Sequence, residues 1–157
     1  MVMDTVPPIA VCQNIVVQLD ANGMATITPP DVDGGSMDAC GIASSSIDSS
    51  MFDCSHVGPN NVTLTVADSS GNMASCVAVV TVSDTVPPTA VCMADTIYLD
   101  STGMATLTPM DVDGGSSDAC GIGSLSVSPT AFTCANVGDM GCGKAEGIFG
   151  RVARFQA

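Results

Sequence analysis

Residues 31–41 read Asp-Val-Asp-Gly-Gly-Ser-Met-Asp-Ala-Cys-Gly, and residues 111–121 read Asp-Val-Asp-Gly-Gly-Ser-Ser-Asp-Ala-Cys-Gly. The offset of 80 holds in both directions. Asp4-Thr-Val-Pro-Pro returns as Asp84-Thr-Val-Pro-Pro, and Cys12, Cys40 and Cys54 map onto Cys92, Cys120 and Cys134. Without a gap, 4–58 and 84–138 share 33 of 55 positions. A period this long exceeds a solenoid unit and suits a small domain that folds by itself. The chain therefore reads as two tandem modules, 1–83 and 84–138. After Gly58 and Gly138 the copies part. The first continues through Val62-Thr-Leu-Thr-Val and Cys76-Val-Ala-Val-Val-Thr-Val, whereas the second runs into a divergent basic tail, 139–157.

Inside a module the segments are short and β-branched. Asn14-Ile-Val-Val-Gln-Leu, Met24-Ala-Thr-Ile-Thr and the two closing runs have strand length and partial apolar/polar alternation. Turn signals separate them at Asp20-Ala-Asn-Gly, Asp33-Gly-Gly-Ser and Asp68-Ser-Ser-Gly-Asn, where Asp bonds nearby amides and Gly supplies positive φ. This pattern predicts an all-β chain of sandwich modules, with no amphipathic helix. Pro87-Pro88 blocks a continuous strand across the junction and stiffens it.

Composition removes several function classes. Of 157 residues only Lys144, Arg151 and Arg154 are basic, against 16 acids, of which 15 are Asp; the formal net charge is −13. Nucleic-acid backbones are bound through Lys and Arg, so that partner class is excluded. Attraction to anionic membranes and membrane insertion are not expected either. Eight Cys without a Cys-x-x-Cys pair, and a lone His56, argue for disulfides in an oxidising compartment rather than zinc. The residues from Met1 to Pro8 lack the basic and apolar runs of a signal peptide.

The module resembles the hyalin-repeat (HYR) type of immunoglobulin-like domain. The resemblance is carried by Asp4 to Pro8 and Asp84 to Pro88, by Ala-Val-Cys ending at Cys12 and Cys92, and by Val66-Ala-Asp-Ser-Ser-Gly-Asn-Met-Ala-Ser-Cys76. It covers 4–83 and the first two thirds of the second copy. It implies tandem Ig-like β-sandwich modules, as in large secreted or surface repeat proteins of bacteria, with an adhesive or architectural role and no catalysis.

Four Cys permit three connectivities. Cys12 follows the first strand and Cys76 begins the last, and these strands can lie side by side in an Ig-like sandwich. The nested pairing that the resemblance implies agrees. The expectation is therefore Cys12–Cys76 with Cys40–Cys54, and Cys120–Cys134 with Cys92 reaching Cys142 in the second copy.

Asp31, Asp33 and Asp38, repeated as Asp111, Asp113 and Asp118, set carboxylates at alternating positions before glycines. That is the pattern of a hard-cation loop, and it makes Ca²⁺ the expected cofactor. The competing reading is a solvated turn whose Asp residues cap amides. Asn61-Val-Thr63 fits a glycosylation sequon. His56 has Asn136 as its counterpart, which argues against repeat-borne catalysis, and Phe52 and Phe132 are expected to anchor the two cores.

Together these readings predict an extracellular or cell-surface structural repeat protein: an adhesin stalk, spacer or filament subunit. The alternative is a calcium-dependent adhesion module that binds glycan or protein. Expected partners are copies of itself, neighbouring repeats or surface glycans. The second module lacks counterparts of the closing strands, which leaves an open edge. Three readings of its tail stay open: a fold-back strand, a strand donated by a neighbouring chain, or a reading-frame change. The open edge favours self-association.

Overall fold

The computed structural model describes residues 3–138, 146–148 and 152–156. The protein is mainly β, with few helical residues among those described, and it divides into two compact units, Met1–Asp84 and Thr85–Ala157. Among the described residues no helix is long and apolar enough to cross a membrane.

In the first unit one sheet has the order β1-β6-β5-β3, where β1 is Ile15–Gln18, β3 Ile42–Ile47, β5 Gly58–Asp68 and β6 Met73–Ser83. The β5–β6 hairpin supplies most of its hydrophobic interior. Alternation along two eleven-residue strands turns Val62, Leu64 and Val66 on β5, and Ala78, Val80 and Val82 on β6, away from water. Each of the larger side chains contributes about 2 kcal/mol by burial. β6 also pairs with β1 in parallel, Ile15 opposite Val80, and the Leu19 amide donates to the Ser83 carbonyl. A second, two-stranded sheet joins β2 (Met24–Thr26) to β4 (Met51–Asp53) and carries buried Phe52. Two short helical elements complete the unit: α1, Pro29–Val32, and a 3₁₀ turn at Cys54–His56.

The second unit repeats the first half of this plan. β7 (Met104–Thr106), α2 (Pro109–Val112), β8 (Ser124–Ser128), β9 (Ala131–Thr133) and a 3₁₀ turn at Cys134–Asn136 reproduce β2 to the first 3₁₀ turn. The difference begins where the repeat ends. β3 pairs antiparallel with β5, but its counterpart β8 pairs in parallel with β11 (Val152–Gln156), which is joined to β10 (Glu146–Ile148). In backbone terms the tail forms a fold-back strand on β8. Residues 95–98, the counterparts of β1, form no strand, and Tyr98 is 85% exposed. Among the described residues no hairpin of the β5–β6 kind follows, and Leu99 and Val112 are half-buried, whereas Leu19 and Val32 are buried.

Candidate functional site

The acidic loops were the sharpest expectation, and the structure assigns their side chains to local hydrogen bonds. Thr28-Pro-Pro-Asp31 opens α1. Asp31 sits at the third helical position, and its Oδ2 accepts from the Thr28 amide at 2.6 Å and the Thr28 hydroxyl at 2.7 Å. Asp33 follows the helix, and its Oδ1 accepts from the amides of Gly35 (3.0 Å) and Ser36 (2.8 Å). The turn then grips the leading segment of the chain. The Ser36 hydroxyl accepts from the Val11 amide at 2.9 Å, the Gly34 amide donates to the Val11 carbonyl at 2.8 Å, and the Gln13 amide donates to the Val32 carbonyl at 2.9 Å. Ile9 and Met37 exchange both backbone bonds.

Gly34 is required by this approach. A Cβ there would stand 3.1 Å from the Cys12 carbonyl carbon and oxygen. The second copy repeats the clamp through Asp111 on Thr108, Asp113 on Ser116, Ser116 on Val91 and Gly114 on Val91. The loop thus holds the stretch containing Cys12 in place.

Asp38 does not join Asp31 and Asp33. Its Oδ1 caps the Cys40 amide at 2.7 Å, and its carboxylate, the Asp4 carboxylate and the Cys40 sulfur all lie within 4.8 Å of one another. Asp118 Oδ1 likewise caps the Cys120 amide at 2.8 Å, while its Oδ2 is buried without a hydrogen-bond partner. Two carboxylates and a soft sulfur fall short of the six to eight oxygens that Ca²⁺ takes. The residues as placed do not fit a calcium cage, and no calcium chemistry is derived from them.

This arrangement has a direct consequence. Asp33→Ala is expected to cost the first module about 1 kcal/mol, the usual worth of a lost cap, equally in calcium and in chelator. Parallel denaturation curves in the two buffers check it; destabilisation seen only with calcium would restore a cation role.

The carboxyls in these turns are held below the usual aspartate range by the donors they accept from: Thr28 for Asp31, Ser36 for Asp33, Met24 for Asp20, Thr102 for Asp100, Thr108 for Asp111 and Ser116 for Asp113. A depressed folded value means that stability is present above the unfolded value and is lost as pH falls through the folded one. The melting temperature should therefore decline as pH drops below about 3.8, the ordinary value. A melting temperature unchanged down to pH 2.5 would show that the caps contribute nothing.

The cysteines bring one agreement and two corrections. Cys12 and Cys76 are bridged, as expected. Cys40 and Cys134 carry free, exposed thiols, so neither Cys40–Cys54 nor Cys120–Cys134 is formed. Cys54, Cys92 and Cys120 are all disulfide-bonded. The expected partner of Cys92, Cys142, lies outside the described residues. Cys54 is bonded to a sulfur other than Cys40, and the Cys40 thiol lies against Asp4, whose carboxylate raises its pKa by hydrogen bonding and by charge.

His56 is a capping residue. The Asp53 amide lies 3.2 Å from its Nδ1, the Asp53 carboxylate 2.8 Å away, and its ring meets Phe52 edge-on at 5.8 Å. In the second copy Asn136 takes the Thr133 amide at 2.9 Å, so an amide oxygen replaces an imidazole nitrogen in the same cap. Asn61 is exposed on β5, where a glycan would meet solvent. Sequence reading passed over the leading-segment clamp, although Thr-Pro-x-Asp before an apolar residue is a helix-start signal. Comparison with family models, curated proteins and solved structures finds no match.

Proposed function

We propose that the chain is an extracellular structural repeat protein, a spacer, stalk or filament subunit built from disulfide-stapled Ig-like modules. The observation that carries this reading is the Cys12–Cys76 bridge, which ties the clamped leading segment to the last strand of the first module. Such a staple suits a small secreted domain with few aromatics to bury. The strand plan supports the Ig-like assignment. β3-β5-β6 follow the order of the C, F and G strands of such a sandwich, and β2 with β4 correspond to its B and E strands. The polar side chains of the repeated motifs serve caps and clamps, which favours an architectural role over a catalytic or ligand-binding one.

Differential alkylation of the protein taken directly from its producing cells tests the reading. Cys12 and Cys76 should be recovered oxidised, and recovery of both as thiols would overturn an extracellular assignment. A glycan-array screen in calcium should return no specific ligand. A specific, calcium-dependent ligand would shift the assignment to an adhesion module.

A further inference from the structure

We propose that Asn61 carries an N-linked glycan, which lies over an uncharged, partly apolar strip on the outer face of the β5–β6 hairpin and shields it. This rests on the extracellular reading and adds to it a covalent modification of the first module.

Asn61 opens Asn61-Val-Thr63, and no other Asn of the chain is followed two positions later by Ser or Thr. Alternation along β5 buries Val62 and Leu64, which leaves Asn61 and Thr63 together on the opposite face. The adjacent Asn60 is committed to the fold. Its amide donates to the His56 carbonyl at 2.7 Å and to the Gly58 carbonyl at 3.0 Å. The exposed Asn61 side chain makes no such bond among the described residues.

The register decides what a sugar on Asn61 covers. Asn61 stands opposite Val79, and Thr63 opposite Val77. The Val79 amide donates to Asn14 Oδ1 at 2.8 Å and the Thr63 amide to Asp48 Oδ1 at 2.9 Å. Both amides therefore point away from the facing strand. These are the non-hydrogen-bonded pairs of the ladder, whose Cα atoms approach to about 4.5 Å and whose side chains meet most closely. Val77 is 58% exposed, and Val16, opposite Thr81 on the same face, is 70% exposed. Across β1, β6, β5 and β3 the outward positions carry no charged side chain. A solvated sheet face is ordinarily polar, and a bulky, solubilising group at Asn61 restores that condition.

In the folded module the Asp48 carboxylate also accepts from the Thr63 hydroxyl. Transfer therefore precedes the closing of β3 on β5. The Asn61 amide nitrogen attacks C1 of the first N-acetylhexosamine of a lipid diphosphate-linked oligosaccharide. The N–C1 bond forms, the C1–O bond to the diphosphate breaks with its electron pair, and the amide releases one proton.

The test takes the full chain from its producing cells. Asp-N digestion after reduction should give a peptide of residues 53–67 that carries N-acetylhexosamine and hexose. Peptide N-glycosidase in ¹⁸O-water should remove that mass and leave one ¹⁸O in the peptide. Asn61→Gln and Thr63→Ala should each lose the whole glycan mass, and Thr63→Ser should keep it. Binding of an apolar dye to the folded protein should rise several-fold in Asn61→Gln and return to the wild-type level when Val77→Ser is added.

Residues 53–67 recovered unmodified overturn the proposal, as does a glycan that persists in Asn61→Gln. Dye binding unchanged in Asn61→Gln overturns the shielding. An unreduced portion of the same sample reports Cys12–Cys76. An intact bridge beside a bare Asn61 defeats the glycan and leaves the extracellular reading standing, whereas two thiols there defeat that reading itself.

Discussion

Replacing Cys12 and Cys76 together by serine should lower the melting temperature of the first module by roughly 20 °C. The bridge spans a sequence separation of 64. Closing a loop of that length in the unfolded chain is worth about 4 kcal/mol in the chain-entropy account. For a domain of this size each kcal/mol moves the melting temperature by roughly 4–8 °C. Few other terms offset the loss, because the chain has four Phe, one Tyr and no Trp. The leading segment would keep its clamp on the Asp33–Ser36 turn but lose its covalent tie to β6. Hydrogen exchange should accordingly rise first around Val11 and Gln13. Calorimetry of the double variant beside Cys40→Ser checks the attribution, since Cys40 is unbridged and its replacement should leave the first transition in place. A fall of less than about 5 °C in the double variant would assign the module's stability to packing alone.

The strands that were legible in the sequence are those whose pattern is periodic. Val62 to Val66 alternate apolar with polar, and one face is buried as the alternation requires, whereas Val77 to Val82 form a nearly continuous apolar run of strand length whose burial alternates. Phe52 and Phe132 were legible because an apolar ring kept at one repeat position in a polar surround has few other roles; both are buried. The acidic motif was harder to read. Asp at alternating positions before Gly-Gly looks the same in sequence whether the carboxylates converge on a cation or each turns back to its own amides. What separates the two readings is the direction of each carboxylate, set here by Thr28 for Asp31 and by Ser36 for Asp33.

Cys12–Cys76 was legible from its place at the two ends of the module, but the pairing of Cys40 was not, for a related reason. Spacing places Cys40 and Cys54 in one module, but a bridge needs their Cβ vectors to meet, and that depends on the turn after Asp38. The tail shows a third limit. β11 pairs with β8 in parallel although β5 pairs with β3 antiparallel, and strand polarity is set by the connection rather than by the residues of the strand.

The two modules share a plan but not a complete core, so the same substitution should cost them differently. Phe52→Ala is expected to destabilise the first module by about 4 kcal/mol, within the usual span for deleting a buried aromatic side chain. Phe52 is 2% exposed and stands opposite Ala25 in a two-stranded sheet, so the small neighbour across the pair has little side chain with which to fill the space. The edge-on contact with His56 disappears as well. The cost of such a cavity depends on how well its surroundings collapse. Phe132 occupies the matching position, opposite Ala105, and is also buried, at 7%. Its module already leaves Leu99 and Val112 half-buried. Less apolar contact is lost there and the surroundings relax more freely, so Phe132→Ala should cost about half as much. Denaturant unfolding of the two variants, with the transitions assigned by hydrogen exchange, measures the difference. Equal costs would mean that the backbone of β10 and β11 closes the second core as tightly as β5 and β6 close the first.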